Sequence, residues 1–173
     1  DGCLFAGWYT SSDFTGDAIT KITEPESIQL YAKFIEGTSG LEYKVHSDYV
    51  EVKGYNGSDT NVIIPEYYAG GLPVSVIGES AFWGSKYLNT ITIPASVTSI
   101  GKYAFCDCYN LTSITLSNSI TSIGHDAFYN CNKLSKIPDI SKWKLKENPK
   151  NINMCINSSS LTSLPDVQKI CDL

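Results

Sequence analysis

Val74-Ser75-Val76-Ile77-Gly78-Glu79-Ser80-Ala81-Phe82 opens a stretch that the chain writes twice more, as VTSIGKYAF at 97–105 and ITSIGHDAF at 120–128. The copies superimpose at 23 residues without a gap. Val74, Val97 and Ile120 fall in register, as do Ile77, Ile100 and Ile123, then Gly78, Gly101 and Gly124. Ala81, Ala104 and Ala127 follow, beside Phe82, Phe105 and Phe128. Leu88, Leu111 and Leu134 come next, then Ile91, Ile114 and Ile137. A fixed apolar pattern with a period of this length specifies a solenoid, whose coils bury against each other the face that none can bury alone.

Within each copy the apolar positions assign local jobs. Leu88-x-x-Ile91-x-Ile93 and Leu111-x-x-Ile114-x-Leu116 place apolar residues two apart, the mark of a strand with one buried face. Stacked coil on coil, these strands predict a parallel sheet. The Ile-Gly-x-x-Ala-Phe segment is not extended throughout. Its glycine is expected to permit a turn, and alanine with phenylalanine to pack a helical or 3₁₀ corner into the core. The recurring phenylalanines are expected to stack as a column. The fold class is therefore a mostly β solenoid of short parallel strands and turn or 3₁₀ corners, preceded by a small N-terminal β module.

Outward from 74–137, the pattern loosens on both sides. Residues 41–73 read as an atypical first coil that caps the stack. LEYKV and YVEVKGY alternate apolar and polar residues around His46-Ser47-Asp48, which predicts a hairpin, with Asn56-Gly57 as a further turn. Val62-Ile63-Ile64-Pro65 anticipates Ile91-Thr92-Ile93-Pro94, and the extra length lies in 67–72. Residues 36–40 read as a linker. On the other side, CNKLSKIPDISK and SSSLTSLPDVQK align at an offset of 27, so 138–173 is read as a degenerate C-terminal cap. Its lysine-rich, proline-bearing segment 142–153 is expected to be a solvated loop.

Residues 1–36 differ in character from the rest of the chain. They alternate short β-prone runs with polar turns, and Gly7-Trp8-Tyr9 sets two large aromatics beside a glycine, expected to form the core of a very small module. So short a piece buries little surface, and it is expected to fray or to pack on its neighbour.

Composition narrows the function. The net charge is −5, with 13 lysines and no arginine. Phosphate and guanine recognition leans on arginine's planar fork, so nucleic acid is a poor partner. No run of eighteen apolar residues is present to enter a bilayer. No cofactor or metal pattern stands out. Gly70-Gly71 lacks the lysine of a phosphate loop, no acidic calcium-loop spacing occurs, and Cys106-x-Cys108 has no second pair. His46 sits at a turn and His125 in a slot filled by Glu79 and Lys102 in the other copies, so no catalytic arrangement is legible. Asn56, Asn110 and Asn157 begin N-glycosylation acceptor triplets, read as chance matches unless the source is eukaryotic. Of six cysteines, Cys3, Cys106, Cys108, Cys131, Cys155 and Cys171, two occupy one repeat position, Cys108 and Cys131. They are expected to form a buried ladder of small side chains. Coils stacked about 4.8 Å apart also bring a Cys108–Cys131 disulfide within reach, and Cys155–Cys171 could bridge near the C-terminus.

The motif x-I-G-x-x-A-F-x-x-C-x-x-L-x-x-I-x-(I/L) resembles the BspA-like leucine-rich repeat family, strictly over the three copies and loosely over 41–140. That resemblance implies a surface protein of host-associated bacteria or parasitic protists. It implies attachment to protein or glycan partners without catalysis, and an extracellular, cell-surface or secreted location. Phe5-Ala6-Gly7-Trp8-Tyr9-Thr10 with Leu30-Tyr31-Ala32-Lys33-Phe34 resembles the second half of a Listeria–Bacteroides repeat, Phe34 replacing the usual tryptophan. Under that resemblance the chain begins inside a domain.

Two groups of residues are candidates for contacting a partner. The outward positions of the predicted sheet, Thr90, Thr92, Ser113, Thr115, Ser135 and Lys136, make a flat hydroxyl-rich stripe, although threonine also simply suits an exposed strand. Trp83, Tyr87, Tyr109 and Tyr129 vary between copies and flank the corners, where aromatic anchors would carry affinity. The chain is expected to be monomeric, and to serve either as a binding module, as a structural spacer or as an accessory domain of a larger secreted protein.

Overall fold

The first two copies each form one coil made of two short strands joined by a turning corner, and the described part of the third supplies its first strand and corner. The computed structural model describes residues 3–13, 19, 29–36 and 38–135. Its strands are β1 (Cys3–Tyr9), β2 (Tyr31–Glu36), β3 (Leu41–Val45), β4 (Val50–Tyr55), β5 (Asn61–Ile63), β6 (Val74–Ile77), β7 (Thr90–Thr92), β8 (Ser99–Ile100), β9 (Ser113–Thr115) and β10 (Ser122–Ile123), with a 3₁₀ turn η1 (Ala69–Gly71) between β5 and β6. The sheet expected from the Leu-x-x-Ile-x-Ile pattern is present as the parallel ladder β5-β7-β9, with Val62, Ile91 and Ile114 in register and buried. A second ladder, β10-β8-β6-β4-β3, carries Ile77, Ile100 and Ile123, and of its strands only the β3–β4 hairpin has a counterpart in the sequence pattern. Strands of two residues are too short to display a period of two.

The cap is built from the predicted hairpin. β3 and β4 pair antiparallel, and β4 then lies parallel to β6, converting an antiparallel pair into the first rung of the stack. Residues 67–72 form the η1 turn, closed by a bridge between Tyr67 and Pro73. Tyr55 tops the phenylalanine column, its ring 5.4 Å from Phe82. Phe82, Phe105 and Phe128 stack at 5.1 and 5.3 Å with interplanar angles of 12° and 2°, the near-parallel geometry that the coil repeat imposes. The segment read as a linker has a role at the sheet edge. Thr38 Oγ1 accepts from Ile63 N at 2.9 Å and lies 3.3 Å from Ile63 O, so one hydroxyl occupies the place of a neighbouring strand at the edge of β5.

The corners are not 3₁₀ helices. Bonds such as Trp83 N to Ser80 O (3.1 Å) and Ser85 N to Phe82 O (3.1 Å) close successive turns, but two residues per coil are left-handed and break the helix. The first slot holds Ser80, Tyr103 and Asp126 at φ between 54° and 57°, and the second holds Gly84, Asp107 and Asn130 between 58° and 67°. Left-handed backbone costs an L-residue about 1–2 kcal/mol. What holds it is the next coil. Ser80, Phe82 and Gly84 donate their N–H groups to the carbonyls of Lys102, Ala104 and Cys106, and Tyr103, Phe105 and Asp107 repeat this toward His125, Ala127 and Tyr129, at 2.7–3.1 Å.

The repeating glycine also has a different reason from the one expected. Gly78, Gly101 and Gly124 are not left-handed. A Cβ on Gly101 would stand 2.6 Å from Gly78 C, and one on Gly124 would stand 2.3 Å from Lys102 N. Glycine is required at 101 and 124 because backbone meets backbone between coils, whereas at 78 a Cβ would first meet the Glu51 carboxylate at 2.4 Å, with Val52 O at 3.1 Å.

Cys106, Cys108 and Cys131 are free and buried, so the Cys108–Cys131 disulfide gives way to the ladder of small side chains. Each ladder thiol donates to a carbonyl of the preceding coil, Cys108 Sγ to Phe82 O and Cys131 Sγ to Phe105 O, both at 3.1 Å. Burial pushes the Cys108 thiol up to about 12 and raises that of Cys131 as well. Alkylation of the folded protein at about pH 8, near the ordinary thiol value, is therefore expected to leave both unmodified until denaturant is added, as peptide mass spectrometry would show. Modification of either in the native state would contradict the ladder. Cys155 and Cys171, with the expected cap at 138–173, lie outside the described residues.

β1 and β2 form an antiparallel pair with a bulge at Phe5/Gly7, and β1 lies against η1, so this segment packs on its neighbour. Trp8, expected in an aromatic core, is exposed.

Candidate functional site

The hydroxyl stripe lies on the outer face of β7 and β9 as expected. Thr92 and Thr115 are exposed, and Thr90 and Ser113 are half-buried, whereas Ser135 is exposed beyond the strands and Lys136 lies outside the described residues. β5 extends the same face, placing Asn61 beside Thr90 and Ile63 beside Thr92. Thr90 Oγ1 donates to Asn61 Oδ1 at 2.7 Å, and beside the stripe Thr112 Oγ1 reaches Asn89 Oδ1 at 2.9 Å. The exposed Thr92 and Thr115 stand outside these bonds.

The corner aromatics are arranged differently. Trp83 is 61 % exposed, Tyr109 47 % and Tyr129 41 %, and Tyr87 is exposed as well. Three coils converge here on one carboxylate. Trp83 Nε1 of the first coil donates to Asp107 Oδ2 at 2.9 Å. Tyr109 Oη of the second donates to Asp107 Oδ1 at 2.9 Å, and Asn130 Nδ2 of the third donates to the same oxygen at 2.8 Å. The left-handed backbone of Asp107 sets this up, since its N–H is committed to Tyr129 O while its side chain projects from the corner. The slot of Trp83 and Tyr129 is filled in the middle coil by Cys106, only 6 % exposed, so that coil adds no ring at this position. Tyr103 lies beside Trp83 with ring centres 6.5 Å apart. Tyr87 stands apart from the carboxylate, next to the Lys86 ammonium, which is 4.9 Å from its ring.

The hydrogen bonds from Asn130 and Trp83, with a further one from Tyr109, hold the Asp107 carboxyl below its ordinary value against a smaller opposing effect of burial. The same contact raises the Tyr109 hydroxyl. Burial and the adjacent Asp107 charge push the Cys106 thiol up to about 11, so it is a structural thiol and not a nucleophile. Because the folded carboxyl titrates below its unfolded value, the cluster is fully formed above about pH 4 and is lost as pH falls through the lower, folded value. Tryptophan emission is expected to shift with a midpoint below about pH 4, and Asp107→Asn or Trp83→Phe should abolish that component. A shift that survives both substitutions would assign it to other groups.

Among the described residues no group of His, Cys, Asp and Glu could hold a metal ion, and no helix is long and apolar enough to cross a membrane.

Six copies of the BspA type leucine rich repeat region match residues 73–172, more than half of the chain. The chain belongs to the BspA-type leucine-rich repeat family. The match runs past the last described residue, so the repeat continues into the segment read as a degenerate cap. Among solved structures, a leucine-rich repeat protein from Bacteroides capillosus is 27 % identical with a TM-score of 0.59, over 73 % of this chain and 93 % of that one. The leucine-rich repeat protein of T. pallidum is 32 % identical (TM-score 0.53), over 56 % of this chain and 45 % of its own. A leucine-rich cell surface protein of Faecalibacterium prausnitzii is 30 % identical (TM-score 0.53), over 58 % of this chain and 29 % of its own. This chain thus spans less than half the length of the latter two. No curated protein matches it. The family match does not reach residues 1–36, where the Listeria–Bacteroides resemblance rests on sequence alone.

Proposed function

We propose that this BspA-type chain is a non-catalytic binding module of an exported protein, engaging protein or glycan partners outside the cell. The observation that carries the reading is the corner cluster, where exposed aromatics from successive coils are fixed around Asp107 while the core beneath them only repeats. Such extended repeat surfaces are commonly used for partners. The likeness to a cell surface protein of F. prausnitzii supports the location. The absence of arginine with a net charge of −5 argues against nucleic acid, and the module is taken to act as a monomer that does not enter the bilayer. The test is a binding screen of the purified chain against host matrix proteins and glycans, in which saturable binding to at least one is expected. Binding to none would favour a spacer, a reading supported by the Thr90–Asn61 bond, which ties one hydroxyl of the stripe to its neighbouring coil. In the spacer case, replacing Trp83 together with Thr92 and Thr115 would leave whole-protein adhesion unchanged.

A further inference from the structure

The geometry points to the Trp83–Asp107–Tyr109–Tyr129 corner as a site for neutral glycans, with the sugar stacked on the aromatic faces and hydroxyls bonded around the Asp107 carboxylate. This rests on the binding reading above and names the ligand class and the place. Four observations favour a sugar over a peptide surface.

The first is that the polar edges are already satisfied. The Trp83 N–H and the Tyr109 O–H both point at Asp107, so what these rings offer to solvent is largely their faces. An aromatic face carries negative charge density, and the C–H bonds on one side of a pyranose carry the complementary positive density. The second is rigidity. Bonds from three coils meet at one carboxylate, so the Trp83 and Tyr109 rings are held before any ligand arrives and binding need not order them. The third is the mixture of groups. Trp83, Tyr109, Asn130 and the Cys106 thiol all donate to the Asp107 carboxylate, where a sugar hydroxyl would join or replace one of these donors, and Lys133 Nζ with Asn110 Oδ1 (2.7 Å apart) places further donors and acceptors on the same two coils. Exposed aliphatic side chains, which a protein interface would recruit to its dry centre, are lacking here: those exposed among the described residues, Val45 and Ile63, lie in β3 and β5. The fourth is charge. The carboxylate at the centre of the site and the net charge of −5 disfavour sialylated or sulfated glycans, while the nearby Lys133 ammonium is already held by Asn110 Oδ1, so neutral ones are favoured.

Shape agrees with this. Trp83 and Tyr129 rise from coils two rungs apart, about 10 Å at the spacing of paired strands. Between them Cys106 is buried, leaving a floor edged by Asp107. The site is a shallow shelf across the stack, suited to a sugar unit approached from solvent.

The experiment uses the whole chain on an array of oligosaccharides built from neutral glucose, galactose, mannose and N-acetylglucosamine units, with sialylated and sulfated arms alongside. The strongest hit is then titrated by calorimetry, and the same variants are run against a panel of host matrix proteins. Binding to neutral oligosaccharides is expected, weakened at least tenfold by Trp83→Ala and unaffected by Thr92→Ala. Trp83→Phe keeps a stacking face but loses the bond to Asp107, and is expected to fall between the two. Because Trp83 is exposed, an unchanged thermal melt will show that Trp83→Ala folds. Neutral-glycan binding that Trp83→Ala leaves intact would overturn the site, as would binding confined to the acidic arms. Binding to a matrix protein without binding to any glycan would overturn the glycan proposal and leave the binding reading standing. Binding to neither would overturn both.

Discussion

Phe105→Ala is expected to lower stability by about 3–5 kcal/mol, a large share of what a domain of this size possesses. Phe105 is the middle ring of the column, fully buried, with a parallel neighbour on each side at 5.1 and 5.3 Å. Truncation removes both stacking contacts and leaves a cavity whose walls are fixed by inter-coil hydrogen bonds, including those of Phe82 N to Ala104 O and Phe105 N to Ala127 O. The walls cannot collapse without breaking that ladder. Calorimetric or denaturant melts would show a transition lowered on the order of 10 °C or more. A melt indistinguishable from the parent would refute the column as a source of stability. Trp83→Ala, next to the column in sequence but exposed, serves as the control, with an expected change below about 1 kcal/mol.

Gly101→Ala is expected to cost about 2–3 kcal/mol, although it adds one methyl group. The new Cβ would lie 2.6 Å from Gly78 C and from Glu79 N, both backbone atoms of the preceding coil. That coil is tied in place by Gly78 N to Val52 O at 2.8 Å and Gly101 N to Ile77 O at 2.7 Å, so relief requires the coils to part. Gly84→Ala separates this cause from backbone freedom. Gly84 is left-handed at φ 67° with no atom within 4 Å of where a methyl group would stand, so its cost should be confined to about 1 kcal/mol of conformational preference. Equal losses in urea melts of the two variants would mean that the repeated glycine serves conformation after all.

These two positions also show how far residues alone could be read. The 23-residue register disclosed which side chains share a column, because stacking identical coils leaves no other arrangement for Phe82, Phe105 and Phe128. It disclosed that a glycine was needed at 78, 101 and 124, but not why. The reason is an interatomic distance between coils, which no local preference encodes. The ladder through Ile77, Ile100 and Ile123 stayed hidden because its strands are too brief to alternate.

The corner site was half legible. Trp83, Tyr109 and Tyr129 could be picked out as large side chains that vary where the core does not. Asp107 could not, since its partners sit 24, 2 and 23 residues away in three different relations to the repeat. One signal was available. A slot occupied by glycine, aspartate and asparagine at 84, 107 and 130 contains the residues that best tolerate left-handed backbone, and this marks where a side chain is thrown outward. Tyr103 gives no such sign, being a bulky residue in the same conformation.

Past the glycine that opens each corner and donates back to the preceding coil (Gly101 N to Ile77 O, Gly124 N to Ile100 O), the corner bonds described between coils run one way. From Ser80, Phe82 and Gly84, and again from Tyr103, Phe105 and Asp107, the N–H groups point toward the C-terminal coils and the carbonyls point back. Peptide dipoles so aligned add along the stack as they do along a helix, with their positive end facing the C-terminal side. The corner edge is thus electrically polar along the length of the stack. Each 23-residue unit inserted between two coils would lengthen that dipole array while offering the same donors at one face and the same acceptors at the other. A chain built this way can change its reach in whole units without redesigning a single interface.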